Sequence, residues 1–288
     1  MPPFPGSFKN AKAPTQHNRK ATRIGSLHFG HNVSWVTAVL IAILGAAIWV
    51  VCSGVTLRSY EPRLQTIIVS YDPLIIYLEN FLSQSEINHL RELGEGSYRP
   101  SQVTDGNGIN KPSAERKSST SVLPRNDAVV QSVMSRAARF QGFLPTSNFE
   151  NLQATSYTSG GEYKPHYDLL STKVAHTGIR SLEPNETERV TTIFAILDDS
   201  CEKKCGTEFS RIRIDWGKED KKWCRYVDCD AERLTFQPRA GNAIFWKNLR
   251  ENGSVDENTL HAGLPLLKGV KIGINIWART GQYLNQSI

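Results

Sequence analysis

The sequence predicts an α+β fold in which an antiparallel β-sandwich or barrel packs against two helices. Three observations support this prediction. Before residue 148, one segment starts at a candidate helix cap, Ser83, and a second repeats apolar residues at helical spacing. After residue 148 the chain breaks into short segments typical of strands, separated by turn residues. No internal repeat divides the sequence, so we expect one large domain, 71–288, that buries a full core.

The first 32 residues form a basic tail that we expect to be disordered and cytosolic. The tail contains no Asp or Glu, and its positive charges are Lys9, Lys12, Arg19, Lys20 and Arg23. Without these five, the chain has 29 basic and 28 acidic residues, so the net charge of +6 comes mostly from the tail. A near-neutral body that lacks a basic patch with interleaved aromatic residues argues against a nucleic-acid partner.

Residues 33–57 contain no charge over 25 positions. As a helix this run would be about 37 Å long, enough to cross a hydrocarbon core of about 30 Å. A buried core helix and a cleaved signal peptide are the alternatives; the run has no polar stripe, and its leader and apolar stretch are long for a signal peptide. We expect a single transmembrane signal-anchor helix. The positive-inside rule then gives a single-pass type II protein of the endoplasmic reticulum or Golgi membrane, with a luminal domain.

A stalk, 58–70, is predicted to lead into the luminal domain. A strand follows at "PLIIYLENFLS", and Ser83 is placed to cap a helix that closes at Gly94 and Gly96. A polar loop spans about 100–121, and "DAVVQSVMSRAARFQGF" predicts the second helix. Strands are then predicted at "NLQATSY", "YKPHYDL", "VTTIFAIL", "ERLTFQP", "NAIFW" and "VKIGINIWAR".

A charged segment, about 198–233, resembles an insertion and contains four cysteines: Cys201, Cys205, Cys224 and Cys229. In an oxidising lumen these form two disulfides, with three possible pairings. A zinc knuckle is the alternative, but C-x3-C and C-x4-C are poor spacings for one. Three sequons predict glycan acceptors at Asn185, Asn252 and Asn285.

His166 and Asp168 lie two residues apart in a predicted strand, so their side chains share a face. An imidazole and a carboxylate on one face form two-thirds of a facial triad for a first-row metal. The H-x-D pattern is weak by itself, because it arises often by chance. The third ligand must come from elsewhere, and His261 is the candidate.

The strand after His261 places Lys271 on what should be an interior face. Lys271, Gly273, Asn275 and Trp277 alternate with apolar residues along it. A buried lysine is costly unless it meets an anion. Two histidines, a carboxylate and a buried cation are the groups that an Fe(II) site using 2-oxoglutarate requires. The triad leaves two metal positions for the keto acid and one for dioxygen.

Five motifs occur in order along the chain: Y-x-x-G-x-x-Y-x-x-H-x-D at Tyr157–Asp168, R-x-x-T at Arg189–Thr192, G-T-x-F at Gly206–Phe209, G-N-A-I-F-W at Gly241–Trp246 and H-A-G-x-P-x-x-x-G-x-K at His261–Lys271. In this combination the chain resembles the prolyl 4-hydroxylase branch of the 2-oxoglutarate/Fe(II) dioxygenases, of the alpha-subunit catalytic domain type. The resemblance covers roughly 72–280. It implies a double-stranded β-helix, or jelly-roll, core with flanking N-terminal helices.

The resemblance also implies roles for single residues. His166, Asp168 and His261 match the iron ligands, and Lys271 matches the lysine that binds 2-oxoglutarate. Tyr157 and Thr192 match residues that line the 2-oxoglutarate pocket, and Trp277 resembles a tryptophan near the iron. The implied reaction hydroxylates proline in a polypeptide, consumes O2, decarboxylates 2-oxoglutarate to succinate and depends on ascorbate.

Two departures from the family pattern leave the acceptor open. Cys205-Gly206 stands where the family has Gly-Gly, and the Cys-rich segment replaces a shorter connection. The same chemistry on a small molecule or another residue is therefore an alternative. A non-catalytic binding module on the same scaffold and a zinc hydrolase are further alternatives, and the presence of all three ligands and Lys271 disfavours both.

Overall fold

The computed structural model describes residues 35–54, 63–104, 110–170, 187–202 and 205–280. The chain divides into two compact units, residues 1–59 and 60–288. The predicted basic tail 1–32 and the sequons at Asn185 and Asn285 lie outside the described residues.

The first unit contains one described helix, α1, at Trp35–Gly54, within the apolar run of the sequence. Across the described ranges, no helix combines the length and hydropathy required for crossing a membrane. The membrane anchor predicted for 33–57 is therefore not supported by the structure.

The second unit is mostly β-structure with few helices, as expected of a jelly-roll core. Its helices are α2 (Gln84–Gly94) and α3 (Ala128–Phe140). Its strands are β1 (Gln65–Tyr71), β2 (Leu74–Glu79), β3 (Arg99–Pro100), β4 (Gln102–Thr104), β5 (Asn110–Pro112), β6 (Arg116–Lys117), β7 (Ser119–Val122), β8 (Gln153–Tyr157), β9 (Glu162–His166), β10 (Arg189–Asp198), β11 (Thr207–Arg213), β12 (Arg233–Phe236), β13 (Ala243–Lys247), β14 (His261–Gly263) and β15 (Lys271–Arg279). Short 3-10 helices lie at Thr146–Asn148, Lys221–Arg225 and Glu257–Thr259.

Two antiparallel sheets contain most of these strands. The larger has the order β1-β2-β13-β10-β15-β8-β7-β3, and the smaller has the order β12-β11-β14-β9-β6. Three neighbouring pairs, β1-β2, β7-β8 and β11-β12, are consecutive in sequence. The other long strands from β8 onward alternate between the two sheets, so most of their neighbours are far apart in sequence. This alternation brings the ends of distant strands to one place.

Side chains along each strand of the large sheet alternate between its two faces, and each face packs into a different hydrophobic cluster. On β10, Ile193, Ala195 and Leu197 belong to the cluster that includes the helices, whereas Phe194 and Ile196 pack with residues of the small sheet. On β15 the even-numbered residues from Ile274 to Ala278 face the helices. The odd-numbered positions, which begin with Lys271, therefore face the interior between the sheets, as the alternation predicts.

The first helix is capped at Ser83 as the sequence predicts, and the second helix has a cap that was not predicted. Ser83 and Glu86 form a reciprocal capping box at the start of α2, and Glu86 also pairs with Arg136 on α3 at 2.6 Å. Asp127 caps α3 by accepting from the N–H groups of Val129 and Val130. The buried residues of α3 are Val130, Val133, Met134, Ala137 and Ala138.

The structure differs from the sequence-based expectations in three places. Most of the second half of the predicted stalk forms β1, because Ile67 and Val69 pack against the core beside β2. Short strands occupy part of the predicted polar loop 100–121, since β7 pairs with both β3 and β8. The segment 198–233 contains β11, a central strand of the small sheet whose Phe209 is fully buried, so it is only partly an insertion.

The four cysteines form two local disulfides, Cys201–Cys205 and Cys224–Cys229. This selects one of the three pairings that the sequence leaves open, and it excludes a zinc knuckle built from the four thiolates.

Candidate metal centre

The two sheet-forming segments β9 and β14 bring two histidines side by side. His166 ends β9, His261 begins β14, and the two residues stand opposite each other in the antiparallel register. Asp168 follows β9 two residues after His166. One ligand atom from each of the three side chains lies within 4.8 Å of the other two, which is compact enough to hold one metal ion.

Backbone hydrogen bonds fix which imidazole nitrogen faces the centre. The Nδ1 atom of His166 lies 2.8 Å from the carbonyl oxygen of Lys164, and that of His261 lies 2.9 Å from the carbonyl oxygen of Thr259. A carbonyl oxygen only accepts, so each Nδ1 carries the proton and each Nε2 keeps its lone pair. The Nε2 atoms lie 3.8 Å (His166) and 3.7 Å (His261) from Asp168 carboxylate oxygens.

The electrostatics keep His166 and Asp168 in the protonation states that a metal requires. Burial, with a contribution from neighbouring His261, lowers the pKa of His166 to about 3. Burial alone would raise the pKa of Asp168, but the electrostatic interactions with His261, His166 and Arg189 and the hydrogen bond from Trp277 together lower this pKa below the usual range. His166 is therefore neutral and Asp168 ionised near neutral pH, as metal ligands must be.

Two donors orient the carboxylate of Asp168. The hydroxyl of Thr192 donates to Oδ2 at 2.9 Å, and the indole N–H of Trp277 donates to the same oxygen at 3.0 Å. Asn248 in turn donates to the Thr192 hydroxyl at 3.1 Å. Partners of this kind set the direction and basicity of a metal ligand. Thr192, expected in the 2-oxoglutarate pocket, uses its hydroxyl on the carboxylate, so its role in that pocket stays a prediction.

Lys271 lies at the start of β15 and is only 1% exposed. Its Nζ donates to the carbonyl oxygens of Cys205 at 2.6 Å and Gly206 at 3.3 Å, and it lies 4.9 Å from the centre of the Tyr157 ring. Among the described residues, no carboxylate forms an ion pair with it. Burial lowers the pKa of Lys271 to about 7, whereas the carbonyls and the ring favour its ammonium form.

A small cavity between the sheets connects Lys271 with the histidines. Tyr157, His166, His261 and Lys271 are among its lining residues. Burial raises the pKa of Tyr157 to about 12, so its phenol stays neutral. The cavity lies between the metal position and the ammonium group, where the sequence predicts that 2-oxoglutarate binds.

A second, larger cavity opens the centre to solvent. It has a volume of about 1130 Å³, and Tyr163, His166, Asp168, Arg189 and Trp277 are among the residues that line it. The His166 and Tyr163 rings stack at 3.5 Å. The metal position therefore has two approaches: an enclosed one for a small acid and an open one for a bulkier molecule.

A buried ion-pair network supports the open cleft, and the sequence analysis missed it. Arg189 makes a two-pronged contact with Glu150, at 2.7 and 2.8 Å, and Arg279 donates to the same carboxylate at 2.8 Å. The Arg189 guanidinium lies 3.5 Å from the centre of the Trp277 ring. Because Arg189 lies in an inward-facing motif, the sequence could have indicated a buried anion as its partner. It could not have identified Glu150, which lies 39 residues away and belongs to no motif.

The chain matches a known family in this region. The model of the 2OG-Fe(II) oxygenase superfamily matches residues 152–279. Prolyl 4-hydroxylase 5 of Arabidopsis thaliana is 30% identical over 223 residues, which cover 75% of this chain and 72% of that protein. Prolyl 4-hydroxylase 2 of the same plant is 27% identical over 271 residues, covering 91% of this chain and 82% of that protein.

The chain belongs to the prolyl 4-hydroxylase family of 2-oxoglutarate/Fe(II) oxygenases. It is therefore a dioxygenase that uses Fe(II) and 2-oxoglutarate. A crystal structure of the viral collagen prolyl hydroxylase from Paramecium bursaria chlorella virus-1 shares 21% identity and a TM-score of 0.49, covering 72% of this chain and 96% of that one. At that level of similarity it adds no argument to the assignment.

The described residues fit the metal of this family. Two Nε2 lone pairs and one oriented carboxylate converge on one point, with the neutral and ionised states that Fe(II) requires. When bound, iron and 2-oxoglutarate together supply the oxidising chemistry that inserts one oxygen atom of O2 into a C–H bond. The protein's own contribution is to orient the ligands and to keep one approach open.

Replacing Trp277 by Phe tests the orientation of Asp168. The variant keeps an aromatic ring beside Arg189 but removes one of the two donors to Oδ2. We expect the affinity for Co(II), a redox-stable substitute for Fe(II), to fall by about 10- to 100-fold in an equilibrium titration.

Trp216→Phe is the matched control for this experiment. Trp216 is also buried, but its indole N–H has no hydrogen-bond partner among the described residues. Its replacement should leave Co(II) affinity unchanged. Equal losses in the two variants would contradict the role given to the Trp277 N–H.

Proposed function

We propose that this dioxygenase hydroxylates proline residues of a polypeptide at C4, with decarboxylation of 2-oxoglutarate to succinate. The observation that carries the proposal is that two members of the His-Asp-His cluster, His166 and Asp168, line an open cleft of about 1130 Å³. The relatives named as prolyl 4-hydroxylases support it. Tyr163 gives the cleft an aromatic side chain of the kind that proline-rich segments contact.

In this proposal His166, Asp168 and His261 hold Fe(II), and Lys271 binds the distal carboxylate of 2-oxoglutarate. The support for Lys271 is its burial without a carboxylate partner among the described residues, because a buried ammonium is costly until it meets an anion. Tyr157 lines the same cavity and supports the acid from below the ammonium. Thr192 acts on the pocket through Asp168, and ascorbate is the proposed reductant that keeps the metal ferrous.

We also propose that the catalytic domain works in the lumen of the secretory pathway. The two disulfides favour an oxidising compartment. Asn252, in a sequon with Ser254, is exposed and therefore accessible to glycosylation. The anchor at 33–57 and the endoplasmic reticulum or Golgi membrane rest on the sequence alone, and both stay predictions.

Replacement of His166 by Ala tests the catalytic assignment. Loss of one of three ligands should abolish succinate release that depends on Fe(II) and 2-oxoglutarate, measured with a proline-rich peptide present. His89→Ala is the control, because His89 pairs with Asp127 at the start of α3 and does not contribute to the metal cluster. Equal activity in the two variants would remove His166 from the mechanism.

Mass spectrometry of the peptide in the same reaction tests the acceptor. The proposal predicts the gain of one oxygen atom on proline in the wild-type reaction and none with His166→Ala. Succinate release that leaves the peptide unmodified would contradict peptidyl proline as the acceptor. If a small molecule then gained one oxygen atom for each succinate released, the alternative acceptor would be supported.

The pH dependence of 2-oxoglutarate binding tests Lys271. Its pKa of about 7 means that the amine is neutral in more alkaline solution. The amine must then take up a proton before it can pair with a dicarboxylate. We expect the dissociation constant of 2-oxoglutarate for the Mn(II)-loaded protein to rise between about pH 7 and about pH 9, by up to about tenfold per unit. Isothermal titration calorimetry measures it.

Lys271→Arg is the control for the pH experiment, because a guanidinium stays charged throughout this range. Whatever its affinity, the Arg variant should give a flat profile. The same slope in both proteins would assign the pH dependence to another group.

A further inference from the structure

The position of the Lys271 ammonium depends on two consecutive backbone carbonyls. Nζ donates to Cys205 at 2.6 Å and to Gly206 at 3.3 Å, and neither acceptor is a side chain. Both carbonyls belong to the connection that enters β11. The direction in which the third N–H group points is therefore set by the backbone of this connection.

The Cys201–Cys205 disulfide packs against Tyr157, a residue that lines the same cavity. Cys205 is 3% exposed and packs with Tyr157 and Leu266, and Cys201 lies against this cluster. Tyr157 stands directly opposite Lys271 in the β8–β15 register. The disulfide thus contacts one side of the pocket, while the residue it constrains supplies a carbonyl to the lysine.

The connection between β10 and β11 is also attached to the turn that precedes Lys271. The N–H of Glu202 donates to the carbonyl of Lys268 at 2.9 Å, and the N–H of Leu264 donates to that of Gly206 at 3.0 Å. Gly269 approaches this connection so closely that a Cβ there would lie 2.2 Å from the carbonyl oxygen of Ser200. Two backbone segments therefore meet at Lys271, and the disulfide closes one of them.

We propose that Cys205, through its disulfide bond to Cys201, is a positioning residue for Lys271 and thereby for the distal carboxylate of 2-oxoglutarate. The inference rests on the proposed role of Lys271. The covalent ring limits the movement of the Cys205 and Gly206 carbonyls and keeps the ammonium aimed into the cavity. Reducing or removing the disulfide leaves the metal ligands on β9 and β14 in place. The two carbonyls and the ammonium must then become ordered when 2-oxoglutarate binds, which makes the free energy of binding less favourable.

The second disulfide provides a matched control. Cys224–Cys229 has a sequence separation of 5 against 4 for Cys201–Cys205, so it closes a loop of similar size. Cys229 packs with a different cluster, beside Trp223 and Tyr226. Neither Cys224 nor Cys229 supplies a carbonyl to the Lys271 ammonium.

The test compares the full chain with Cys201→Ser/Cys205→Ser and with Cys224→Ser/Cys229→Ser. We expect the first double variant to raise the 2-oxoglutarate dissociation constant of the Mn(II)-loaded protein about tenfold, which corresponds to about 1.4 kcal/mol. The KM for 2-oxoglutarate should rise in parallel, with kcat and Mn(II) affinity unchanged. The second double variant should bind 2-oxoglutarate like the wild type. Equal shifts in both variants, or no shift in the first, would overturn the proposal.

A variant that keeps the apolar contact separates packing from covalent closure. Cys201→Ala/Cys205→Val retains a buried apolar side chain against Tyr157 and also provides a measurement where the serine variant does not fold. It should lose the same factor in 2-oxoglutarate affinity. Wild-type affinity in this variant would show that packing alone positions Lys271, and it would overturn the role of the disulfide.

Lys271→Ala distinguishes failure of this inference from failure of the proposed function. If Lys271→Ala leaves 2-oxoglutarate binding unchanged, the proposed role of the lysine fails, and the inference fails with it. If Lys271→Ala weakens binding and the cysteine variants do not, only the inference fails. In the Lys271→Ala background, opening Cys201–Cys205 should weaken binding no further, because the disulfide acts through the lysine.

Discussion

The antiparallel pairing of β9 with β14 is the constraint around which the active site is arranged. It sets His166 opposite His261, two residues whose positions differ by almost a hundred in the sequence. The carbonyl of Lys164 in β9 and that of Thr259 just before β14 accept the Nδ1 protons. The pairing thus positions both rings, and these hydrogen bonds turn their Nε2 lone pairs inward. A slip of one residue would move one imidazole to the other face of the sheet. Aromatic rings also pack against His261, and the centre of the Trp246 ring lies 4.7 Å from the centre of its imidazole.

The large sheet supplies the groups that a metal cluster alone lacks. Thr192 on β10 and Trp277 on β15 reach Asp168 from neighbouring strands, which stand in direct register at these two residues. Lys271 lies on the same inward face of β15 as Trp277. One strand therefore presents both a donor for the metal carboxylate and the cation that we propose binds the cosubstrate, separated by the strand's fixed rise of about 3.3 Å per residue.

Several charged side chains are buried near the active site, and most of them are paired with an opposite charge close by. Glu150 would be hard to ionise when buried, but Arg189 and Arg279 hold its pKa below the usual range. Arg189 in turn covers the Trp277 ring. Lys271 differs from these groups, because its acceptors are backbone carbonyls and no described carboxylate pairs with it. Among these buried charges it is the one best explained by a ligand.

The sequence predicts those features that depend on local spacing. The two-residue separation of His166 and Asp168, the alternation that turns Lys271 inward, and the capping of α2 by Ser83 all follow from short-range geometry. Features that join distant residues do not follow in this way. The donor that Trp277 gives to Asp168 spans 109 residues, and four cysteines leave three pairings of equal standing. β1 was missed because a short, partly exposed strand acquires its apolar contacts only from the folded sheet beside it.

The most direct test of this account is a crystal structure of the protein with Mn(II) and 2-oxoglutarate, in which anomalous scattering locates the metal. The account predicts one ion bound by Nε2 of His166, Nε2 of His261 and the carboxylate of Asp168. It also predicts the distal carboxylate of 2-oxoglutarate within hydrogen-bond distance of Lys271 Nζ. An ion held by other residues, or a carboxylate bound away from Lys271, would contradict it.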